Sequence, residues 1–371
     1  MKRPSLHPVG GLAVRGRAAS AVGVALTSLL SVGLRRTGRM IRNESGRVDS
    51  LEGEIYSAIW HGAATRIDAT TQELEDGTVE IRRSGRSIRV CGALVPLDNP
   101  VTLHVAGNKV AVHRLLDRAG LPVPAHAALR LADFREAERF LDEVGRVVVK
   151  PAQSTSGGAG VTGGVRTTRD LLAARLRAGR YDGHTMLIEE QLEGDEYRLL
   201  VIGGEPVAAV RRRVPTVVGD GRSSIAALID AENQRRDAAG RAAGYRRLVV
   251  TLDTVLALRA HGFTLRRRPP PGCVVPVSNS TSSGSEKDAS NVSIEDPELG
   301  ELPQLAASAG RAIGLDFASV EFMVRPGGDE ATIIEVNSTP GIAHHYVVSD
   351  GVDSAVATRV LEYLFDRNCR G

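Results

Sequence analysis

The sequence predicts an α+β protein with mixed sheets. Helical and extended patterns alternate along the chain, several extended runs are joined by tight turns, and no segment repeats. A doubly wound parallel sheet would need helical crossovers where these turns occur. The 371 residues suffice for two or three domains, and a charged fraction of 25% excludes wholesale disorder. Aromatic residues make up only 4%, which argues against a surface built for base stacking, and no nucleic-acid partner is expected.

The head of the chain is basic. Residues 1–47 hold nine Lys or Arg and one acid, Glu44, so a net charge of +3 leaves the remainder mildly acidic. Residues 18–34 carry no charge, but this run is diluted by Gly and Ser and is shorter than the ~20 apolar residues of a spanning helix. Arg35-Arg36-Thr37 follows, where a signal peptide would need small residues. Residues 1–40 are expected to be a basic segment, disordered or amphipathic, with contact to an anionic membrane surface left open. The three cysteines are far apart and odd in number, which suits a reducing, cytoplasmic setting.

Leu51, Ile55, Ala58, Ile59 and Ala63 recur at helical spacing over 49–66. Two extended runs, 78–82 and 87–91, flank Ser84-Gly85, and Asn99-Pro100 marks a break. Residues 41–104 are therefore expected to form a small α/β lead-in domain. Asn108 caps a helix over 109–119 that Gly120 and Pro122 close. Residues 146–150 read as a buried strand ending in Lys150-Pro151, followed by a polar, glycine-rich loop at 153–164. A helix at 168–178 leads to a strand at 185–190 and a hairpin at 195–213 about Gly203-Gly204. Helices at 224–238 and 252–261 precede a proline-rich link at 269–271 and a Ser/Gly loop at 278–290. A helix at 302–313, a hairpin at 317–336 and a helix at 353–366 complete the chain.

Four lysines stand against 43 arginines. A lysine kept inside an ordered element of so arginine-rich a chain suggests a need for a compact point charge, as phosphate sites use. Lys109 opens a helix, where backbone amides already favour anions, and Lys150 precedes the glycine-rich loop. The plain alternative is two surface lysines. The loop itself has small residues whose amides can close on phosphates, but it is neither a Walker A motif nor a G-x-G-x-x-G turn, and a mobile turn explains it equally.

The hairpin at 317–336 carries more. If it centres on Gly328, Glu321 lies opposite Glu335, and Asn337 shares their face. Facing carboxylates repel unless a proton or cation lies between them, and a hard divalent ion such as Mg2+ fits. The alternative is a solvent-facing acidic strand pair. In the hairpin about Gly203-Gly204 the same reasoning sets Glu196 opposite Arg211, so that Glu196, Arg198, Arg211 and Arg213 share a face. That face would position a nucleotide sugar and an anionic substrate, unless it is an exposed ion-pair ladder. No Ser/His/Asp triad or H-E-x-x-H is present, and His345 stands out only for following the Asn337–Gly341 turn.

Together these motifs resemble the ATP-grasp superfamily, and within it the central ligase domain of cyanophycin synthetases. The resemblance rests on Val147-Val148-Val149-Lys150-Pro151, the run from Glu189 to Val201, Val217-Val218-Gly219-Asp220-Gly221, and Ile334-Glu335-Val336-Asn337 with Pro340-Gly341, which occur in the family's order. It implies an ATP-grasp fold, two α/β lobes gripping ATP, over residues 105–371, with a lid lobe at about 121–188 and a large lobe at about 195–371. It implies a carboxylate–amine ligase: ATP phosphorylates a carboxylate, and an amine then displaces phosphate to give an amide. Substrates would be amino acids or small peptides, the cofactors ATP and Mg2+ with Mn2+ as an alternative, and the assembly a homo-oligomer.

By the same resemblance Lys109 and Lys150 match phosphate lysines. Ser156, Gly157, Gly158 and Gly160 match the lid loop over the phosphates. Glu189 and Leu192 match the adenine hinge, Glu196 the ribose ligand, and Glu321, Glu335 and Asn337 the metal ligands, with Glu321 where the family more often has Asp. Arg211 and Arg212 match an arginine pair. Two departures stand out. Gly158-Ala159-Gly160 replaces Gly-Arg-Gly in the lid, and the stretch 275–281 lacks an arginine that relatives place near the acyl phosphate; Arg211 or Lys287 is expected to substitute as the catalytic cation. The length leaves no room for the second, Mur-ligase-like half of a cyanophycin synthetase, so full polymer synthesis is not expected. Two rival readings are a small-molecule kinase using the same grip and a non-catalytic nucleotide-binding or membrane-surface protein.

Overall fold

The computed structural model describes residues 53–153, 158–181, 185–239, 246–281, 288–325, 330–346 and 355–367. The expectations for residues 1–40, Ser156, Gly157 and Lys287 fall outside them. The segment Leu51–Gly371 forms one compact unit. Among the described residues no helix is long and apolar enough to cross a membrane.

The lead-in begins with helix α1 (53–66), whose Tyr56, Trp60, Ala63 and Ala64 are buried at helical spacing. They pack on an antiparallel meander of β1 (Thr70–Glu73), β2 (Val79–Arg83) and β3 (Arg86–Val90). The β2–β3 turn places Ser84 at φ 50° and Gly85 at φ 77°, the left-handed pair that a two-residue hairpin with right-handed twist requires. The Asn99-Pro100 break is a helix start. Asn99 Oδ1 accepts from the amides of Val101 and Thr102, both at 3.0 Å, and Pro100 opens α2 (Pro100–Ala106) where its missing N–H costs nothing. Asn108 caps α3 (Lys109–Arg118) as expected, accepting from Ala111 N at 3.0 Å.

The lid lobe is a four-stranded antiparallel sheet in the order β4-β7-β5-β6: β4 (His126–Arg130), β5 (Val147–Pro151), β6 (Thr162–Val165) and β7 (Thr185–Glu190). Helices α4 (Phe134–Val144) and α5 (Thr168–Ala178) pack on it through Ala137, Leu141, Leu171 and Ala174. The large lobe is a five-stranded antiparallel sheet in the order β12-β9-β8-β13-β14. Its strands are β8 (Asp195–Ile202), β9 (Glu205–Arg212), β12 (Ala289–Val292), β13 (Phe317–Val324) and β14 (Ala331–Ser338). Tyr197, Leu199, Val201, Val320 and Phe322 form its apolar face, under α8 (Leu302–Ile313).

An inserted module hangs from the large lobe. It holds β10 (Thr216–Val218), β11 (Val274–Pro276), α6 (Ile225–Ala239) and α7 (Leu252–Ala260) around Val217, Ile225, Ile229 and Val275. The Asp253 carboxylate ties it to the lid, accepting from Gly163 N at 3.0 Å, Ser278 Oγ at 2.6 Å and Asn279 N at 2.9 Å.

The lead-in is not walled off from the large lobe. Its Tyr56, Trp60 and Ile81 share one core with Leu200, Ile202 and Phe317 of the sheet and with Val360 and Leu364 of the last helix, α9 (Val356–Arg367). The sheet and the last helix thus contribute directly to the core of the lead-in.

Candidate active site

The second face of the large sheet is apolar at one end, where it meets the lead-in, and polar at the other. Strand alternation puts Glu196 and Arg198 of β8 on that face, with Arg212 of β9, Glu321 of β13, and Glu335 and Asn337 of β14. Glu321 lies opposite Glu335, the expected register. A bulge between Glu321 and Phe322 leaves Ile334 as the extra residue of β14. Its carbonyl, turned out of the ladder, accepts from Lys150 Nζ at 3.3 Å, so the bulge joins the lid to the large lobe.

Lys150 reaches that point because β5 alternates. Val147 and Val149 are buried under the lid helices, and Val148 and Lys150 face the other way. Lys150 Nζ lies 2.6 Å from Glu189 Oε2. Burial alone would raise the Glu189 pKa, but Lys150 and His113 overcome it and hold the carboxyl at about 2. His113 Nε2 stands 3.0 Å from Glu189 Oε1, and its Nδ1 donates to the carbonyl of Lys109 one helical turn back at 2.9 Å. Burial opposes the charge of Lys150, yet Glu189 and Glu335 together raise its pKa.

Lys109 Nζ is in contact with Glu335 Oε1. Burial disfavours the Glu335 carboxylate, and Lys109 and Lys150 reverse that, holding it well below the usual range. Glu321 receives Arg198 Nη1 and Arg212 Nη1, each at 3.2 Å, and Asn337 Nδ2 at 3.4 Å. Glu196 receives Arg212 Nη1 at 2.9 Å and the Thr281 hydroxyl. Burial raises the Glu196 pKa, Arg212 opposes this, and Glu321 adds to it.

The structure therefore brings together Lys109, Lys150, Glu189, Glu196, Glu321, Glu335 and Asn337. Gly158 and Gly160 adopt the left-handed region, at φ 70° and 82°, and Gly160 lies against Pro151 of β5. A Cβ on Gly160 would come within 2.7 Å of both Pro151 Cγ and Tyr181 Cδ2. Leu192 is half-buried in the connection from β7 to β8.

Arg211 is not at this site. The observed register sets Glu196 opposite Arg212, one residue further on than expected. The cause is a bulge at Leu200/Val201, opposite Pro206-Val207, where proline has no N–H for the ladder. Every residue of β9 beyond it changes face. Arg211 thus pairs with Asp195 at 2.8 Å and lies 5.9 Å from the centre of the Tyr197 ring, and Arg212 takes the inner position. Two further contributors escaped sequence reading, His113 and Ile334. His113 had a signal, its i+4 spacing from Lys109 on one helix face; the bulge at Ile334 had none.

Among the described residues no three His, Cys, Asp or Glu form a metal cluster. The donors on the sheet face are two facing carboxylates and an amide, all of them hard oxygen donors. This set fits an ion that takes few protein ligands and completes its shell with phosphates and water, as Mg2+ does. The buried lysines supply the complementary charge for an anionic chain.

No family model matches the chain. Over 284 residues it is 30% identical to the cyanophycin synthetase of Trichormus variabilis, covering 72% of this chain and 30% of that protein. The bifunctional glutathione biosynthesis protein GshAB of Streptococcus agalactiae is 29% identical over 296 residues, 74% of this chain and 37% of its own. The crystal structure of a bifunctional glutathione synthetase from Pasteurella multocida superposes with a TM-score of 0.51 at 23% identity, over 81% of this chain and 41% of that one. The chain has the ATP-grasp fold, and the relatives it resembles are ATP-grasp ligases. This ATP-grasp chain spans about a third of the length of the curated relatives it matches, 30% and 37% in the two cases. The α+β ATP-grasp fold expected from the motifs is the fold observed.

Proposed function

We propose that this chain is an ATP- and Mg2+-dependent carboxylate–amine ligase acting on amino acids or small peptides. The observation that carries the reading is the continuous line of opposite charges Glu189, Lys150, Glu335 and Lys109 across the two lobes, beside the facing carboxylate of Glu321. Such a line has little use as a stabilising device, because burying it costs desolvation. It suits a triphosphate, whose oxygens would take the two lysines while Glu321, Glu335 and Asn337 hold the ion. Bound there, Mg2+ would neutralise charge on the transferring phosphoryl group.

The chain's own groups position and neutralise. A substrate carboxylate oxygen attacks the γ-phosphorus, ADP leaves, and an acyl phosphate results. The amine then attacks the acyl carbon, phosphate leaves with the bonding pair, and the amine loses a proton to solvent. No covalent nucleophile is needed. Arg212, buried between Glu196 and Glu321, takes the cationic role expected of Arg211. Free Cys91 and Cys273 and the use of ATP fit a cytoplasmic setting.

The test is phosphate release by the full chain from ATP and Mg2+ with pooled amino acids and dipeptides, beside K150A and E335A. Release that needs two substrate classes together and disappears in both variants supports the ligase. A phosphorylated product without an amide would assign the grip to a kinase instead.

A further inference from the structure

Five residues lie in one row across the polar face: Asn291, Val210, Arg198, Glu321 and Glu335, each opposite the next on neighbouring strands. Around Arg198 in this row lie buried polar atoms without a partner. Arg198 is 8% exposed and gives Nη1 to Glu321, but its Nε is buried without a partner. Ser319, two residues from Glu321 on the same face of β13, is fully buried and its Oγ has no partner. His345 is 4% exposed, and neither ring nitrogen has a partner.

Buried polar atoms are almost always bonded, and each one left unmade costs about 1–3 kcal/mol. Four unpartnered atoms, two on Arg198 and Ser319 of this face and two on His345 in the turn that packs against β9, make an arrangement that a ligand would complete. The backbone is built to hold it. Asn291 Nδ2 donates to the carbonyl of His345 at 2.9 Å, and the amide of Ile342 donates to Tyr56 Oη of the lead-in at 3.1 Å, which fixes the turn carrying His345 from both sides. Burial, with Arg198 close by, pushes the His345 pKa down to about 3, so the ring is neutral and offers one donor and one acceptor. Arg198 Nε–H, the Ser319 hydroxyl and one imidazole N–H make three donors against one obligatory acceptor. That balance selects an anion.

We propose that His345, Ser319 and Arg198 form a subsite for a substrate carboxylate other than the one that is phosphorylated. The inference rests on the ligase reading for its substrate. The carboxylate belongs either to the acyl donor or to the amine acceptor, and in both cases the subsite sets which end of an amino acid enters the cleft. His345 and Ser319 are specificity determinants, and Arg198 links the subsite to Glu321.

The test uses the full chain labelled with 15N-histidine, with ADP and Mg2+ present and acetate as the probe. One imidazole, assigned by its loss in H345N, shifts saturably with acetate and not with chloride at equal ionic strength, and S319A weakens acetate about tenfold. No saturable shift, or an equal shift with chloride, overturns the subsite. Phosphate release is measured separately. Turnover without an acetate response sinks the subsite and leaves the ligase; an acetate response without turnover on any pool sinks the ligase reading and leaves an anion site. Replacing acceptor amino acids by their amides then locates the carboxylate: lost turnover assigns it to the acceptor, retained turnover to the acyl donor.

Discussion

Lys150 Nζ lies 3.3 Å from the carbonyl oxygen of Ile334, the extra residue of the bulge in β14, and 2.6 Å from Glu189 Oε2. One ammonium thus bridges a strand of the lid and a strand of the large lobe. Removing it has two separable effects. K150M leaves buried Glu189 with His113 alone beside it, and breaking its ion pair costs about 3–5 kcal/mol. The double variant K150M/E189Q recovers most of that stability but none of the ATP-dependent phosphate release. Urea unfolding and a phosphate assay on both variants check this; recovery of turnover in the double variant would remove Lys150 from the phosphate grip.

Glu189 makes stability depend on pH with a definite sign. Its carboxyl is held at about 2 in the folded chain, against 4.5 as a free side chain. A depressed pKa contributes stability that is fully present above about 4.5 and is lost as pH falls toward 2. The loss is on the order of 3 kcal/mol. E189Q is therefore less stable than the parent at pH 7, and its stability falls less steeply between pH 5 and 3. Parallel acid limbs in denaturant titrations of the two proteins would show that Glu189 is not held this way.

Neighbouring arginines on β9 separate by face. Arg212 bonds Glu196 and Glu321 from a position almost out of solvent, and Arg211 pairs with Asp195 at a half-exposed edge. R211A is expected to stay within about threefold of the parent in turnover and to lose under ~1 kcal/mol, as exposed ion pairs do. R212A leaves buried Glu196 with the Thr281 hydroxyl and Glu321 with Arg198 and Asn337, removes the cation the two carboxylates share, and is expected to lose turnover about a hundredfold or more. Equal losses would return the strand to the register without a bulge.

This pair also marks what could be read from residues alone. The facing of Glu321 and Glu335 came out as expected because two offsets cancel: the pairs nearest the turn are centred half a residue before Gly328, and the extra residue Ile334 restores the register centred on Gly328 for Glu321 and the pairs beyond it. The facing of Glu196 was not, because Pro206 and Val207 shift the ladder by one residue and a one-residue slip exchanges faces. The helix capped by Asn108 was legible from its cap and from Gly120 and Pro122 at its end, and the helix expected at 168–178 is the one observed. The start of α2 was hidden by reading Asn99-Pro100 as a break, when the same two residues cap and open a helix. Strand partners distant in sequence, such as β8 with β13, leave no local trace at all.

Trp60 decides whether the lead-in is a domain or part of the large lobe. Its ring is 1% exposed in the core that α1 shares with Leu200, Phe317 and Leu364, and its Nε1 donates to the Gly92 carbonyl at 2.9 Å. Truncating so large a buried side chain costs about 3–5 kcal/mol. Because that core is common to the lead-in, the sheet and α9, the whole cost should appear in a single cooperative transition that moves to lower denaturant. Far-ultraviolet circular dichroism and the 15N signal of His345 should report the same midpoint in W60A, since the His345 turn is bonded to Tyr56 on the same helix. Two transitions, with the lead-in melting first and His345 unmoved, would show that the lead-in folds independently and that the sheet needs no cover from it.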